Sequence, residues 1–170
     1  MRSLGIAAAI LILSGAASTS AWAVPSTASI FGTGVDAGSA GKLVLTGVGS
    51  SLSTVAHGTF PGNAYAGASG DGTIVVQDGA ALHIANELRI GYDAGSTGRL
   101  VLGAEEGQAA AAAGTVTAER GVAFGAGTGE IVFNHTSSDY LFASSITGDG
   151  TIKALAGTTT LTGDSAGFTG

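Results

Sequence analysis

Two stretches of the chain repeat each other, and this repetition constrains the fold more than any other feature. Residues 34–45 match residues 91–102 at nine of twelve positions. The same offset brings residues 70–76 onto residues 127–133. Internal repeats on this scale are typical of solenoids, in which each unit stacks on the one before it and equivalent residues form columns.

Each unit is predicted to be a glycine-rich turn followed by a short strand. Glycine makes up 30 of the 170 residues, and it supplies the positive φ angles that tight turns require. After each turn the apolar residues alternate, so that they share one face of a strand. The anchors of these strands recur along the chain at Leu43, Ile74, Leu100, Ile131 and Ile152. Further strands are predicted at Leu82/Ile84, Leu88/Ile90, Val122/Phe124 and Thr159/Leu161.

Many short strands are consistent with a sandwich, a barrel or a parallel β-solenoid. The repeat favours the solenoid, because a sandwich gives each strand a distinct place whereas stacked rungs place equivalent residues above one another. We therefore predict an all-β chain, a right-handed parallel β-helix, with about seven rungs of about 20 residues. Leu43 and Leu100 are expected to share an inward column. The residues between the inward anchors are expected to face outward and to be exposed: Val44, Val75, Val101 and Val132. Leu100→Asp is therefore expected to abolish the β-type circular dichroism, whereas Val101→Asp should be nearly tolerated.

Residues 1–23 have the order of a secretory signal peptide. Arg2 supplies a positive start, residues 4–13 are apolar, and Ala21-Trp22-Ala23 is a small-residue cleavage site. This apolar run is too short to cross a bilayer as a helix. We expect residues 1–23 to be a helical signal peptide, and residues 24–170 to be an exported domain of β-helical repeats.

The charge and the cysteine content narrow the function classes. After removal of residues 1–23 the chain carries 12 acidic and 5 basic side chains, a balance that disfavours nucleic acids and anionic membrane surfaces as partners. Cysteine is absent, which excludes disulfides, thiol catalysis and thiolate metal sites. We predict no cofactor.

Several pieces of the chain, in their order, resemble the autotransporter-associated strand repeats of passenger domains in Gram-negative type V secretion proteins. These pieces are residues 95–103, 114–116, 123–129, 133–136, 139–140 and 157–164. The resemblance covers about residues 34–170 and implies a surface-exposed or released β-helix, often adhesive, that binds an unidentified surface or matrix ligand. It also implies a C-terminal outer-membrane barrel, yet the sequence ends soon after Gly163. We therefore expect a passenger that is truncated at its C-terminus, either a fragment or a truncated gene product.

Residues 163–167 match the G-x-S-x-G pattern of esterase nucleophiles, with Ser165 at its centre. His57 and Asp139 precede it in the His-Asp-Ser order of some proteases. A stack of rungs keeps residues this far apart in sequence on distant rungs, so we interpret the motif as a turn.

Candidate metal and modification sites are weak. His57, His83 and His135 lie singly, without the spacing of a zinc site, and His135 is expected to pack or to hydrogen-bond a turn. Asp71 and Asp149 lie in Gly-Asp-Gly turns, but the Gly-Gly pairs of calcium-binding β-rolls are missing. Residues 134–136 fit the glycosylation triplet, a match that we attribute to coincidence.

Three functions remain open. The leading hypothesis is a non-catalytic exported passenger-type β-helix, a surface shaft or adhesin-like module, with no catalytic, cofactor-binding or metal-binding residue. The first alternative is a carbohydrate-active β-helix enzyme, a lyase or a glycosidase, which requires paired carboxylates. Two or three carboxylates and a basic residue converging on one lateral face would favour it, although Glu105 and Glu106 are expected to be solvated. The second alternative is an unrelated extracellular structural repeat protein.

Overall fold

The protein is described here by a computed structural model, which covers residues 10–13, 18–21 and 26–170. Within these ranges the chain forms eighteen strands, numbered β1 to β18 along the chain, and no helix. Successive strands visit three faces in strict rotation, so that every three strands complete one rung of a β-solenoid. The described residues form six rungs.

The three faces are parallel sheets that run along the stack. The first face contains β1 (Ile10–Leu13), β4 (Ile30–Thr33), β7 (Ala64–Ala66), β10 (Leu88–Ile90), β13 (Val122–Phe124) and β16 (Ile146–Thr147). The second contains β2 (Ser18–Ala21), β5 (Ala40–Thr46), β8 (Asp71–Gln77), β11 (Thr97–Gly103), β14 (Thr128–Asn134) and β17 (Thr151–Ala156). The third contains β3 (Ser26–Ala28), β6 (Ser51–Thr54), β9 (Ala81–Ile84) and β12 (Thr115–Ala118). A separate parallel pair, β15 (Tyr140–Phe142) and β18 (Thr159–Leu161), takes the third place in the last two rungs.

The strand anchors stack in one column on the second face. Leu43, Ile74, Leu100, Ile131 and Ile152 are direct partners on consecutive strands. Each rung therefore runs from one anchor to the next, and Leu43 and Leu100 share a column two rungs apart, as predicted. The predictions of about seven rungs and of about 20 residues for each rung are wrong. All rungs between these anchors except the last are clearly longer, because several of the loops between strands are long.

One hydrophobic core fills the inside of the stack. The inward side chains of all three faces form a single cluster, whose largest fully buried members include Phe31, Phe133 and Phe142. Burying one such side chain contributes about 1.5–3 kcal/mol. The strands predicted from alternating apolar residues at 82–84, 88–90, 122–124 and 159–161 are all present.

One column of glycines allows neighbouring rungs to approach closely. Gly34, Gly67 and Gly91 follow successive strands of the first face and have positive φ angles of 57°, 69° and 60°. A Cβ atom at any of them would collide with the backbone of the next rung, at Asp71, Thr97 and Thr128 respectively. Glycine is required at these turns both by the backbone conformation and by this contact.

Two short segments of residues 1–23 are described, and both are strands. Ile10–Leu13 pairs with β4, and Ser18–Ala21 pairs with β5. The cleavage site at Ala23 lies outside the described residues, so the signal peptide stays a prediction. The part of the chain that the structure describes contains no helix long and apolar enough to span a membrane.

Candidate functional site

The valines on the outer side of the second face are buried, which corrects the expectation that they are exposed. Val75, Val101 and Val132 form a small hydrophobic cluster of their own, with Val44 packed against it, and Val101 is 0% exposed. Their direction was predicted correctly, since they alternate with the core anchors. Their exposure was not, because the loop between β11 and β12 lies over this side of the sheet.

This covering loop, residues 104–114, is attached at both ends. Asn134 Nδ2 donates hydrogen bonds to the backbone oxygens of Glu105 at 3.1 Å and Gln108 at 3.2 Å. At the other end the backbone N–H of Asp78 donates to Ala112 O at 2.8 Å, and the Tyr140 hydroxyl donates to Gly114 O at 2.9 Å. The run of alanines at 109–113 forms no helix and makes bridges to neighbouring strands instead.

The glycosylation triplet is part of this attachment. Asn134 is buried and its side-chain amide faces the covering loop. An amide held in this way is not presented to a modifying enzyme, because glycosylation takes place at surface loops.

Charged side chains tie the covering loop to the outer side of the second face. The ion pairs are Lys42 Nζ–Glu105 Oε2 at 2.6 Å, Lys153 Nζ–Glu106 Oε2 at 3.2 Å, Lys153 Nζ–Glu130 Oε1 at 2.6 Å and Arg99 Nη2–Glu130 Oε2 at 2.6 Å. The hydrogen bonds that Lys153 donates to Glu130 and Glu106 raise its pKa. We call these six residues the charged patch. Glu105 and Glu106 are thus paired with lysines, which corrects the expectation that they are simply solvated.

The charged patch has the convergence of carboxylates and bases on one lateral face that the enzyme alternative requires. A cavity of about 360 Å³ lies beside the charged patch and is lined by Lys42 and Glu105 together with Val44 and Val75. Another cavity, of about 390 Å³, lies on the first face. Each of the three carboxylates has a basic partner. These ion pairs connect the covering loop to the sheet and join neighbouring strands of the second face.

A second surface, on the outer side of the first face, is an aromatic groove. Gly32, Tyr65 and Arg89 stack in register on β4, β7 and β10. Gly32 and Tyr65 both line the 390 Å³ cavity, and a Cβ atom at Gly32 would lie 3.1 Å from Val35 Cγ2. The Tyr92 ring meets the Tyr65 ring edge to face, with 5.4 Å between centroids and 75° between planes. Phe60 closes another side of the cavity. It lies at the end of a tight turn, in which His57 and Phe60 exchange backbone hydrogen bonds.

Polar contacts hold the side chains around the aromatic groove in position. The Arg89 guanidinium lies 4.9 Å from the centroid of Tyr92, and its Nε donates to Glu87 Oε2 at 2.6 Å. Burial works to lower the pKa of Arg89, but the hydrogen bond and charge of Glu87 outweigh it and the pKa is raised. Asp93 lines the groove, and its Oδ2 accepts a hydrogen bond from Ser69 Oγ at 2.5 Å.

The serine of the G-x-S-x-G pattern lies in a turn after β18. Its Oγ lies 3.4 Å from Gly163 O and accepts a hydrogen bond from the Ile146 N–H at 3.3 Å. His57 follows β6 in the second rung, whereas Ser165 follows the sixth rung, which places them about 19 Å apart along the stack. Asp139 precedes β15 and is exposed. The structure does not bring these three residues together.

The histidines are also separate. His135 is buried and stacks against Tyr140, and its Nε2 lies 2.7 Å from Thr159 Oγ1. Burial lowers the pKa of His135 and raises the pKa of Tyr140 to about 12. His83 Nε2 lies 3.6 Å from a carboxylate oxygen of Glu119 on the surface. Among the described residues, no three His, Asp or Glu side chains are placed to hold a metal ion.

Sequence reasoning missed both outer surfaces, although the repeat contained a signal for each. Its two copies differ at three of the twelve aligned positions. One differing pair, Val35 and Tyr92, lines the aromatic groove. Another, Lys42 and Arg99, belongs to the charged patch. These differing positions thus contribute to the outer surfaces, whereas identical positions such as Leu43 and Leu100 hold the rungs.

Comparison with known proteins gives two relatives and no family. No protein-family model matches the chain, and no solved structure matches it. The uncharacterized lipoprotein YdeK of Escherichia coli (strain K12) is 40% identical over 91 residues, which are 51% of this chain and 7% of the relative. The uncharacterized protein YuaQ of the same strain is 32% identical over 108 residues, 61% of this chain and 7% of the relative. The match to this chain thus spans only 7% of the length of each of these two relatives.

Proposed function

We propose that the chain is a non-catalytic, exported, passenger-type β-helix of an autotransporter, which forms a surface shaft or an adhesin-like module. The observation that carries this proposal is the uninterrupted column from Leu43 to Ile152, in which every rung rests on the one before it. Such a stack lengthens by about 4.8 Å per rung and suits a rod that displays its lateral faces. We also propose that the coil is right-handed, because parallel crossovers overwhelmingly have that hand.

Two further observations support an exported role. One relative is named a lipoprotein, which accords with a membrane-associated or surface location. Both relatives are far longer than this chain, as expected if such units extend a long stalk. A third observation supports the non-catalytic role, since the ion pairs of the charged patch give its carboxylates a structural task, attachment of the covering loop.

Export is tested on intact Gram-negative cells that express the chain within its own gene product. We expect mass spectrometry to find an N-terminus at Val24, and added protease to digest the protein without lysis. The matched control replaces Leu11 and Leu13 by arginine, which interrupts the apolar run and should retain the protein inside. Retention of residues 1–23 together with protection from protease would contradict the proposal. A gene product with no barrel downstream would favour the unrelated extracellular repeat protein.

The enzyme alternative rests on one specific observation, the convergence of Glu105, Glu106 and Glu130 with three basic residues. Its test is an assay of the chain and of Glu130→Gln against polygalacturonate and neutral glucans. We expect no release of reducing or unsaturated ends by either protein. Activity that is lost in Glu130→Gln would establish the enzyme and refute the non-catalytic role.

A further inference from the structure

We propose that the aromatic groove on the first face binds the ring of a neutral saccharide. The groove is lined by Gly32 together with the side chains of five residues: Val35, Phe60, Tyr65, Tyr92 and Asp93. Its volume of about 390 Å³ is at the small end of the range for ligand pockets. This inference rests on the adhesin-like role proposed above, because that role would bring the groove into contact with saccharides outside the cell. The binding itself depends only on the residues of the groove.

The exposure of the aromatic residues indicates a ligand surface. Phe60 is 42% exposed and Tyr92 is 40% exposed, and they are the aromatic residues among the exposed large hydrophobic side chains of the described chain. Both line the same groove. Two exposed aromatic rings on separate rungs, brought together around one cavity, are better explained by binding than by packing.

The geometry of the rings suits the apolar face of a pyranose. An aromatic face carries negative charge, and the C–H groups on one side of a sugar ring are weakly positive, so the two surfaces attract. Tyr65 and Tyr92 lie at 75° to each other and form a corner that holds such a ring from two sides. Arg89 stacks on Tyr92 and fixes this corner before the ligand arrives, which lowers the entropic cost of binding.

The charges of the groove select against an acidic sugar. Asp93 is the charged residue in the lining, and its carboxylate accepts hydrogen bonds from hydroxyl groups. The positive charge of Arg89 is already matched by Glu87 at 2.6 Å, so it does not attract an anion into the groove. A uronate or another acidic sugar would therefore be repelled by Asp93.

A peptide strand is a poorer fit to this surface. An extended peptide binds by adding to an open sheet edge, but β4, β7 and β10 all pair with neighbours on both sides. The groove therefore offers side chains rather than backbone groups.

The test is saturation-transfer difference NMR on the purified chain, with methyl β-glucopyranoside, methyl β-galactopyranoside and methyl α-mannopyranoside as probes. We expect saturation transfer to the ring protons of at least one probe. Tyr92→Ala and Phe60→Ala should each weaken its binding at least tenfold. The matched control is Leu141→Ala, which removes a side chain that is 64% exposed on β15 and should leave binding unchanged.

Circular dichroism shows whether each variant keeps the β-sheet spectrum, and Phe60→Ala serves if Tyr92→Ala does not fold. The inference is overturned if none of the three probes receives saturation, or if both variants bind as the parent does. Tighter binding of methyl galacturonide than of the neutral probes would overturn the charge argument. Since binding is measured on purified protein, its failure is distinct from a failure of export on intact cells.

Discussion

Asn134 and Glu105 are joined by a hydrogen bond of 3.1 Å, from the side-chain amide of one to the backbone oxygen of the other. The bond links the end of β14 to the start of the covering loop, one rung away. Because the same amide also reaches Gln108 O, one side chain holds the loop over Val101 and its neighbours. The loop thereby converts an outer face into a second, smaller core.

Replacing Asn134 by alanine should release this loop. Both hydrogen bonds from the buried amide are lost and two backbone carbonyl groups are left without this partner, so we expect the free energy of unfolding to fall by about 1–3 kcal/mol. Hydrogen exchange at residues 104–114 should accelerate. Thr117→Ala, an exposed position on β12, is the control and should change neither measurement. Unaltered exchange in Asn134→Ala would mean that the loop is held by other contacts.

Val101→Asp should be as damaging as Leu100→Asp, in contrast to the expectation from the sequence. Both side chains are 0% exposed, one in the main core and one under the covering loop, and a buried unpaired carboxylate is strongly destabilising. We expect both variants to lose the β-type circular dichroism signal. Thr97→Asp, on the same strand but exposed, should fold normally. A Val101→Asp protein as stable as its parent would show that the loop does not cover the valines.

Stability should decrease in mild acid because of His135. Burial lowers the pKa of its imidazole in the folded chain below the usual value of 6.5. As the pH falls below about 6.5, the unfolded chain takes up a proton that the folded chain does not, so the free energy of unfolding falls. Urea midpoints measured from pH 7.5 to pH 5 should decline less steeply in His135→Gln. An identical slope would assign the effect to other groups.

Stability should also decrease in alkali because of Tyr140. Its pKa is raised from 10 to about 12 in the folded chain, so the phenol ionises first in the unfolded chain. Stabilisation that is complete below pH 10 is lost as the pH rises towards 12, by roughly 2–3 kcal/mol for a shift of this size. Thermal melts of Tyr140→Phe between pH 9 and pH 11 should show a shallower loss than those of the parent. Equal losses in the two proteins would contradict the assignment.

The columns of the fold were predictable from the sequence because they depend on recurrence. Leu43, Leu100 and their equivalents repeat at the intervals at which they stack, so their spacing alone indicated the register. The covering loop was not predictable, since it is held partly through backbone oxygens, such as those of Glu105 and Ala112. Its ion pairs join side chains that belong to different rungs. Backbone oxygens leave no trace in the pattern of side chains.

The aromatic groove was hidden for a different reason. Its residues are far apart in the chain and belong to different rungs, and Phe60 enters from a loop that the repeat does not contain. That Phe60 and Tyr92 lie close together can be predicted only when the length of each rung is known. The fold class therefore follows from local periodicity, whereas the surfaces follow from how unequal rungs align.

The unequal rungs have a consequence for how such a protein acquires new properties. The two longest rungs, from Leu43 to Ile74 and from Leu100 to Ile131, contain the two longest loops, at positions 55–63 and 104–114. One loop supplies Phe60 to the groove, and the other shields the valines. The shortest rung, which ends at Ile152, has neither loop. Additional chain is thus accommodated at the corners, where an insertion alters what the rod displays and leaves its register unchanged.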